Sequence, residues 1–160
     1  MPRILVTGMS GTGKSTALAE LERRGFRLLD ADGSDWSSWD PDGDDGAGEW
    51  LWREDRLTEL LADPPEDVLY VSGCASNQGR FYDRVEAVVL LSAPVEVVLA
   101  RIGSRTTNDF GKRPGERERI VSDLERFESL LRATCTHEID ATSPPAEVVE
   151  SLVAIGEAAR

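Results

Sequence analysis

Nine residues near the start of the chain, Gly8-Met9-Ser10-Gly11-Thr12-Gly13-Lys14-Ser15-Thr16, carry the types that phosphate chemistry needs at the spacing it needs. Gly8, Gly13, Lys14 and Ser15 satisfy G-x-x-x-x-G-K-[ST] in full. Glycines let a backbone turn tightly, so the N–H groups of the loop from Gly8 through Ser10, Gly11, Thr12 and Gly13 can reach phosphate oxygens with no Cβ in the way. A helix starting near Lys14 aims its positive end at the same anion. Lys14 then offers a compact cation to the β and γ phosphates, Ser15 a hydroxyl to Mg²⁺, and Thr16 a hydroxyl to the α phosphate. This stretch predicts binding of ATP or GTP together with Mg²⁺.

The elements that must hold this loop follow from the apolar pattern. Ile4-Leu5-Val6 is a short buried strand running into the loop, and Lys14 to Arg24 has helical periodicity through Ala17, Leu18 and Leu21, closed by Gly25. Phe26 to Leu29, Val68 to Ser72, Ala87 to Leu91 and Glu138 to Asp140 read as four further strands. Helices are expected at Glu49 to Ala62, Val95 to Ile102, Glu116 to Ala133 and Pro145 to Ala159. Gly33 to Gly48, rich in Asp, Gly, Ser and Trp, is expected as loop or one short helical turn. Strands alternating with helices imply an α/β fold with a parallel sheet covered on both faces.

The chain has 160 residues, 40% hydrophobic and 30% charged, which suits one globular domain spanning 1–160. A net charge of −12 argues against a broad basic face for nucleic acid. No apolar run approaches a membrane span, and a first strand at Arg3 leaves no room for a signal peptide. Cys74 and Cys135 show neither metal-ligand spacing nor a disulfide framework, and are read as reduced thiols of a cytoplasmic protein, a monomer or homodimer. Lysine occurs only at 14 and 112, against sixteen arginines.

Over nearly its whole length the chain resembles the small P-loop kinases, the group of nucleoside monophosphate kinases and shikimate kinase. The resemblance implies a three-layer α/β/α fold with a five-stranded parallel sheet in the order 2-3-1-4-5, an acceptor segment at about 33–62 and a short lid at about 104–115. Leu29-Asp30-Ala31-Asp32 looks like the D-x-D of shikimate kinase. Strand ends of such a sheet face the ligand crevice, where Asp30 can enter the metal shell and Asp32 can take the proton of an acceptor hydroxyl. The plainer reading is two solvated carboxylates opening an acidic loop. Arg101 and Arg105 have the R-x-x-x-R spacing that opens the lid in adenylate kinases, one packing on the base and the other reaching the transferred phosphate. The plainer reading there is a basic helix end. Lys112 and Arg113 would close with the lid. The stretch from Glu138 to Pro145, with Thr142, resembles the loop beside the adenine.

Departures are equally visible. Val71-Ser72-Gly73-Cys74 has neither the acidic residue that nucleoside monophosphate kinases carry there nor the glycine triplet of shikimate kinases, and an arginine of the helix after the lid is replaced around Asp123-Leu124.

The acceptor segment holds all four tryptophans, Trp36, Trp39, Trp50 and Trp52, with Arg53 and Arg56. Aromatic faces can stack a base or sugar and arginines can clamp a phosphate or carboxylate, or the tryptophans can cover the sheet and the arginines pair with neighbouring acids. Asp40, Asp42, Asp44 and Asp45 form an acidic tip that disfavours a polyanionic acceptor. Ser72, Gly73, Cys74, Asn77, Gln78 and Arg80 follow the third strand at the crevice edge. The expectation is a small-molecule kinase with Lys14, Asp32 and Arg105 in catalysis. A nucleoside monophosphate kinase and a regulatory ATPase without a small acceptor are the alternatives.

Overall fold

Ile4, Leu5 and Val6 are at most 1% exposed, and a strand apolar on both faces is stable only inside a sheet covered on both sides. The structure, a computed structural model, describes residues 2–8, 14–43, 46–103 and 115–160. In it β1 (Arg3–Thr7) pairs in parallel with β5 (Leu69–Ser72) on one side and β6 (Ala87–Ser92) on the other. β2 (Arg27–Asp30) extends the sheet beyond β5, and β7 (His137–Asp140) extends it beyond β6. The order β2-β5-β1-β6-β7, counted over the strands of this sheet alone, is the expected 2-3-1-4-5.

Helices α1 (Lys14–Arg23) and α5 (Pro145–Ala158) cover one face, setting Ala17, Leu21, Val148, Val149 and Leu152 against Ile4, Val6, Tyr70 and Val89. Leu21 is fully buried, which stabilises the fold by about 1.5–3 kcal/mol relative to exposure. Gly25, at φ 89°, ends α1 in the left-handed conformation that a side chain resists, and the Phe26 N–H returns to the Leu21 carbonyl at 3.1 Å. Tyr70 donates its hydroxyl to the Leu152 carbonyl at 3.0 Å, fixing α5 to the sheet.

On the opposite face α2 (Glu54–Ala62) packs Leu57 and Leu61 beside Leu5, Val71 and Val88, and a 3₁₀ helix over Gln78–Arg84 adds Phe81. Helices α3 (Val95–Gly103) and α4 (Glu116–Thr134) follow β6. Among the described residues no helix is long and apolar enough to cross a membrane.

One expectation is corrected. The loop expected over Gly33 to Gly48 and the helix expected from Glu49 give way to an antiparallel hairpin of β3 (Ser37–Asp40) and β4 (Glu49–Trp52), and α2 begins only at Glu54. Trp39 stands directly opposite Trp50, their ring centroids 5.7 Å apart and their planes at 67°. An edge-to-face cross-strand aromatic pair favours the strand by more than the small helical preference of Glu49 and Leu51 opposes it. Gly48, at φ 85°, turns the chain where a Cβ would lie 2.2 Å from the Trp39 ring.

Candidate active site

Three parallel strands end at one edge. Register pairs Asp30 with Ser72 and Ser72 with Val6, so Thr7-Gly8, Asp30 to Asp32 and Gly73-Cys74 form one rim. This is the carboxyl edge, where the crevice of an open parallel sheet lies.

Asp32 is the most elaborated carboxylate on that rim. Its Oδ1 accepts the indole N–H of Trp52 at 2.8 Å, and the Cys74 backbone N–H reaches Oδ2 at 3.0 Å and Oδ1 at 3.2 Å. Gly73 makes this crossing possible, because a Cβ there would sit 2.7 Å from Asp32 Oδ1 and 2.8 Å from Trp52 Cζ2. The residue as a whole has an open side to solvent, yet its carboxylate is hemmed in by Trp52, Gly73 and Cys74. Withdrawal from water pushes its pKa above the ordinary aspartate value. The two N–H donors and the Lys14 charge pull the other way without cancelling that rise, and the Asp30 charge adds to it. A crevice-edge carboxylate with a raised pKa is of the kind that can serve as a general base.

On the phosphate side Lys14 is the first residue of α1, and its ammonium donates to the Gly8 carbonyl. Ser15 and Thr16 follow in the exposed first turn. Ser10, Gly11, Thr12, Gly13 and Arg105 lie outside the described residues, as does the lid up to residue 114. Arg101 is placed by its backbone in the last turn of α3, and its side chain is outside the description.

Asp30 is exposed and accepts the Asp32 N–H at 3.1 Å. Among the described residues no cluster of three His, Cys, Asp or Glu side chains can hold a metal on its own. Two hard oxygens, the Ser15 hydroxyl and the Asp30 carboxylate, fit an ion such as Mg²⁺ that keeps most of its shell as water and phosphate.

Buried Gln78 joins the two sides of the rim. Its Nε2 donates to Thr7 Oγ1 at 3.0 Å and to the Tyr82 hydroxyl at 2.8 Å, and its Oε1 accepts the Ala75 N–H at 2.9 Å. The loop that supplies the Cys74 N–H is thereby tied to the residue preceding Gly8. Asn77 bolts the hairpin to the same loop, accepting the Trp52 N–H at 3.1 Å and donating to the Trp52 carbonyl at 2.9 Å. Sequence reasoning set Asn77 and Gln78 at the crevice as acceptor contacts and missed both ties. It also missed Trp52 as the partner of Asp32. The only signal was the coincidence of two amide side chains with the loop that follows the third strand.

Of the arginines expected near the acceptor, Arg53 stands at the start of α2 with its Nε buried and without an acceptor among the described residues. Arg56 donates to the Asp35 carbonyl at 2.7 Å, and Arg80 pairs with Glu54 at 3.0 Å. Thr142 turns its hydroxyl and N–H back onto Asp140 at 2.6 and 2.8 Å. An open groove of about 560 Å³ runs from Ser92 and Pro94 to Asp140, and its Arg132 is already paired with Glu128 and Glu138.

A family profile described as an AAA domain matches residues 4–122. Shikimate kinase 2 of Salmonella typhi is 31% identical over 169 residues, covering 96% of this chain and 91% of that protein. Among solved structures, shikimate kinase from Bacteroides thetaiotaomicron superposes with a TM-score of 0.69 at 19% identity, covering 98% of each chain. Shikimate kinase from Acinetobacter baumannii in complex with shikimate superposes with a TM-score of 0.64 at 20% identity, covering 97% of this chain and 92% of that one.

Proposed function

We propose, since this chain belongs to the AAA-domain P-loop family and within it to the kinases of the shikimate kinase group, that it moves the γ-phosphoryl group of ATP to a hydroxyl of a small acceptor. The observation that carries this reading is the Asp32 carboxylate, held by Trp52 and Cys74 on the rim that Lys14 shares, with its pKa raised. A base of that kind suits a hydroxyl, which must lose a proton as it attacks. A phosphate acceptor needs no such base, and its charge would meet a chain of net charge −12.

The roles follow from the chemistry of each side chain. Lys14 neutralises charge on the β and γ phosphates as it spreads in the transition state, and Gly8 to Thr16 hold the triphosphate. Mg²⁺, when bound with the nucleotide, supplies further charge neutralisation, and Ser15 and Asp30 are the residues that would hold it. Asp32 accepts the hydroxyl proton. Arg53, next to Trp52 at the start of α2, offers its guanidinium to an oxygen of the acceptor, with Gly73 leaving room at the crossing. Arg101 and Arg105 cover the nucleotide, Thr142 borders its base, and Arg56 and Arg80 stand at the outer rim of the acceptor cleft. Both described cysteines are free thiols, in keeping with a cytoplasmic enzyme.

Shikimate, named in the relatives, is the first acceptor to try. The test measures ADP release from ATP·Mg²⁺ with shikimate, sugars, nucleosides and nucleoside monophosphates offered one at a time. ADP release that requires a hydroxylated acceptor supports the reading. Acceptor-independent hydrolysis, or transfer only to monophosphates, overturns it.

A further inference from the structure

The hairpin carries a feature that the transfer chemistry does not use. Trp39 and Trp50 are 52% and 61% exposed, the most open large apolar groups beside the candidate site. Successive residues of a strand point to opposite faces, so Trp50 lies on the same face of β4 as Trp52. Trp52 faces Asp32, since its indole N–H is bonded there. Trp39 meets Trp50 edge to face and so shares that face. The pair therefore continues the surface that Trp52 begins, displaced along β4 from Trp52 by two strand residues, or roughly 7 Å.

The arrangement is held open. Gly48 lets the Trp39 ring lie against the turn, where any Cβ would collide with it, and the Asn77 side chain fixes the Trp52 end of β4. Asp40, Asp42 and Glu49 surround the outer end of the hairpin, which disfavours an anionic group there.

We infer that Trp39 and Trp50 form an acceptor subsite, and that the acceptor is an alcohol carrying a flat ring without negative charge, the ring lying beyond Trp52 from the hydroxyl that reacts at Asp32. A compact polyol acid with no such ring fills the base and leaves the aromatic pair bare. The inference rests on the kinase reading for the identity of the reacting hydroxyl, but ring binding is measurable without turnover.

Calorimetry with a non-hydrolysable ATP analogue and Mg²⁺ present compares phenyl β-glucoside with methyl β-glucoside, and adenosine with ribose, on the wild type, Trp50→Ala, Trp50→Leu and Trp39→Ala with Trp50→Ala. Stacking on a tryptophan pair should favour each ring-bearing compound by about tenfold or more over its ringless partner. Trp50→Ala and the double variant should lose that preference, and Trp50→Leu, which keeps apolar bulk but no flat face, should retain only part of it. Unaltered binding of the ATP analogue marks each variant as folded. Equal binding of ringed and ringless compounds by the wild type, or a preference that survives the double variant, overturns the subsite. If rings bind at the tryptophans while ADP is never released with any acceptor, the kinase reading fails and the aromatic subsite stands.

Discussion

The indole N–H of Trp52 and the Oδ1 of Asp32 meet at 2.8 Å, directly over a glycine whose missing side chain is what allows the approach. Trp52 therefore has two jobs, as a buried wall of the core against Phe81 and as a donor to the carboxylate proposed as the base. Replacing it with phenylalanine keeps most of the wall and removes the donor. The N–H favours the charged form of Asp32, so its loss raises that pKa further. The acidic limb of the kcat/KM profile of Trp52→Phe should move to higher pH, and a limb left in place would separate Trp52 from the base.

Asp32→Asn keeps an oxygen for both N–H donors but cannot accept the proton. Turnover should fall by about 10²–10⁴-fold. Stability should respond differently. A carboxyl whose folded pKa is raised contributes stability that is fully present below its unfolded value, near 3.9 for aspartate, and is lost as pH rises through the folded value. Asparagine has no such dependence. Tm measured from pH 4 to pH 7 should thus show the variant gaining on the wild type as pH rises.

Lys14→Ala removes the cation that leads the first helix. It should lower kcat by about 10²–10³-fold, as loss of one preorganised transition-state donor does, while circular dichroism stays unchanged. An ADP-release assay at saturating ATP decides it.

The segments with local signals were legible from the residues alone. The phosphate loop announces itself because its glycines, lysine and hydroxyls are adjacent, and the centre of the sheet because Ile4 to Val6, Val68 to Val71 and Ala87 to Leu91 are unbroken apolar runs. The grip on Asp32 was not legible. Its donors come from Trp52 and Cys74, 20 and 42 positions away, and nothing local to Asp32 marks them. The hairpin was misread for a related reason. Leu51, Leu57, Leu60 and Leu61 mimic a helical stripe from Glu49 onward, whereas the Trp39–Trp50 contact that decides for strand is visible only once the chain has folded back.

Gly73→Ala should be costly in two ways. Its Cβ would displace both Asp32 and Trp52, so overpacking should reduce stability by about 1–3 kcal/mol and turnover should fall with it. Denaturant unfolding followed by tryptophan fluorescence reads the first, and ADP release the second.

Arg53→Ala should raise the acceptor KM by about ten- to a hundredfold, the worth of one charged hydrogen bond, with little change in the KM for ATP. Equal changes in both constants would remove Arg53 from the acceptor side.

Among the described residues the hairpin shares no ladder with the five-stranded sheet. It is fastened by the Asn77 amide, by the Ser37 hydroxyl, which donates to the Ala31 carbonyl at 2.6 Å, and at its inner end by Trp52, while its outer end is free of the sheet. Such a cassette can drift, lengthen or be replaced across generations without disturbing the strand that launches Lys14. Descendants of one ancestral donor machine can thus diversify in what they phosphorylate while inheriting the nucleotide end intact.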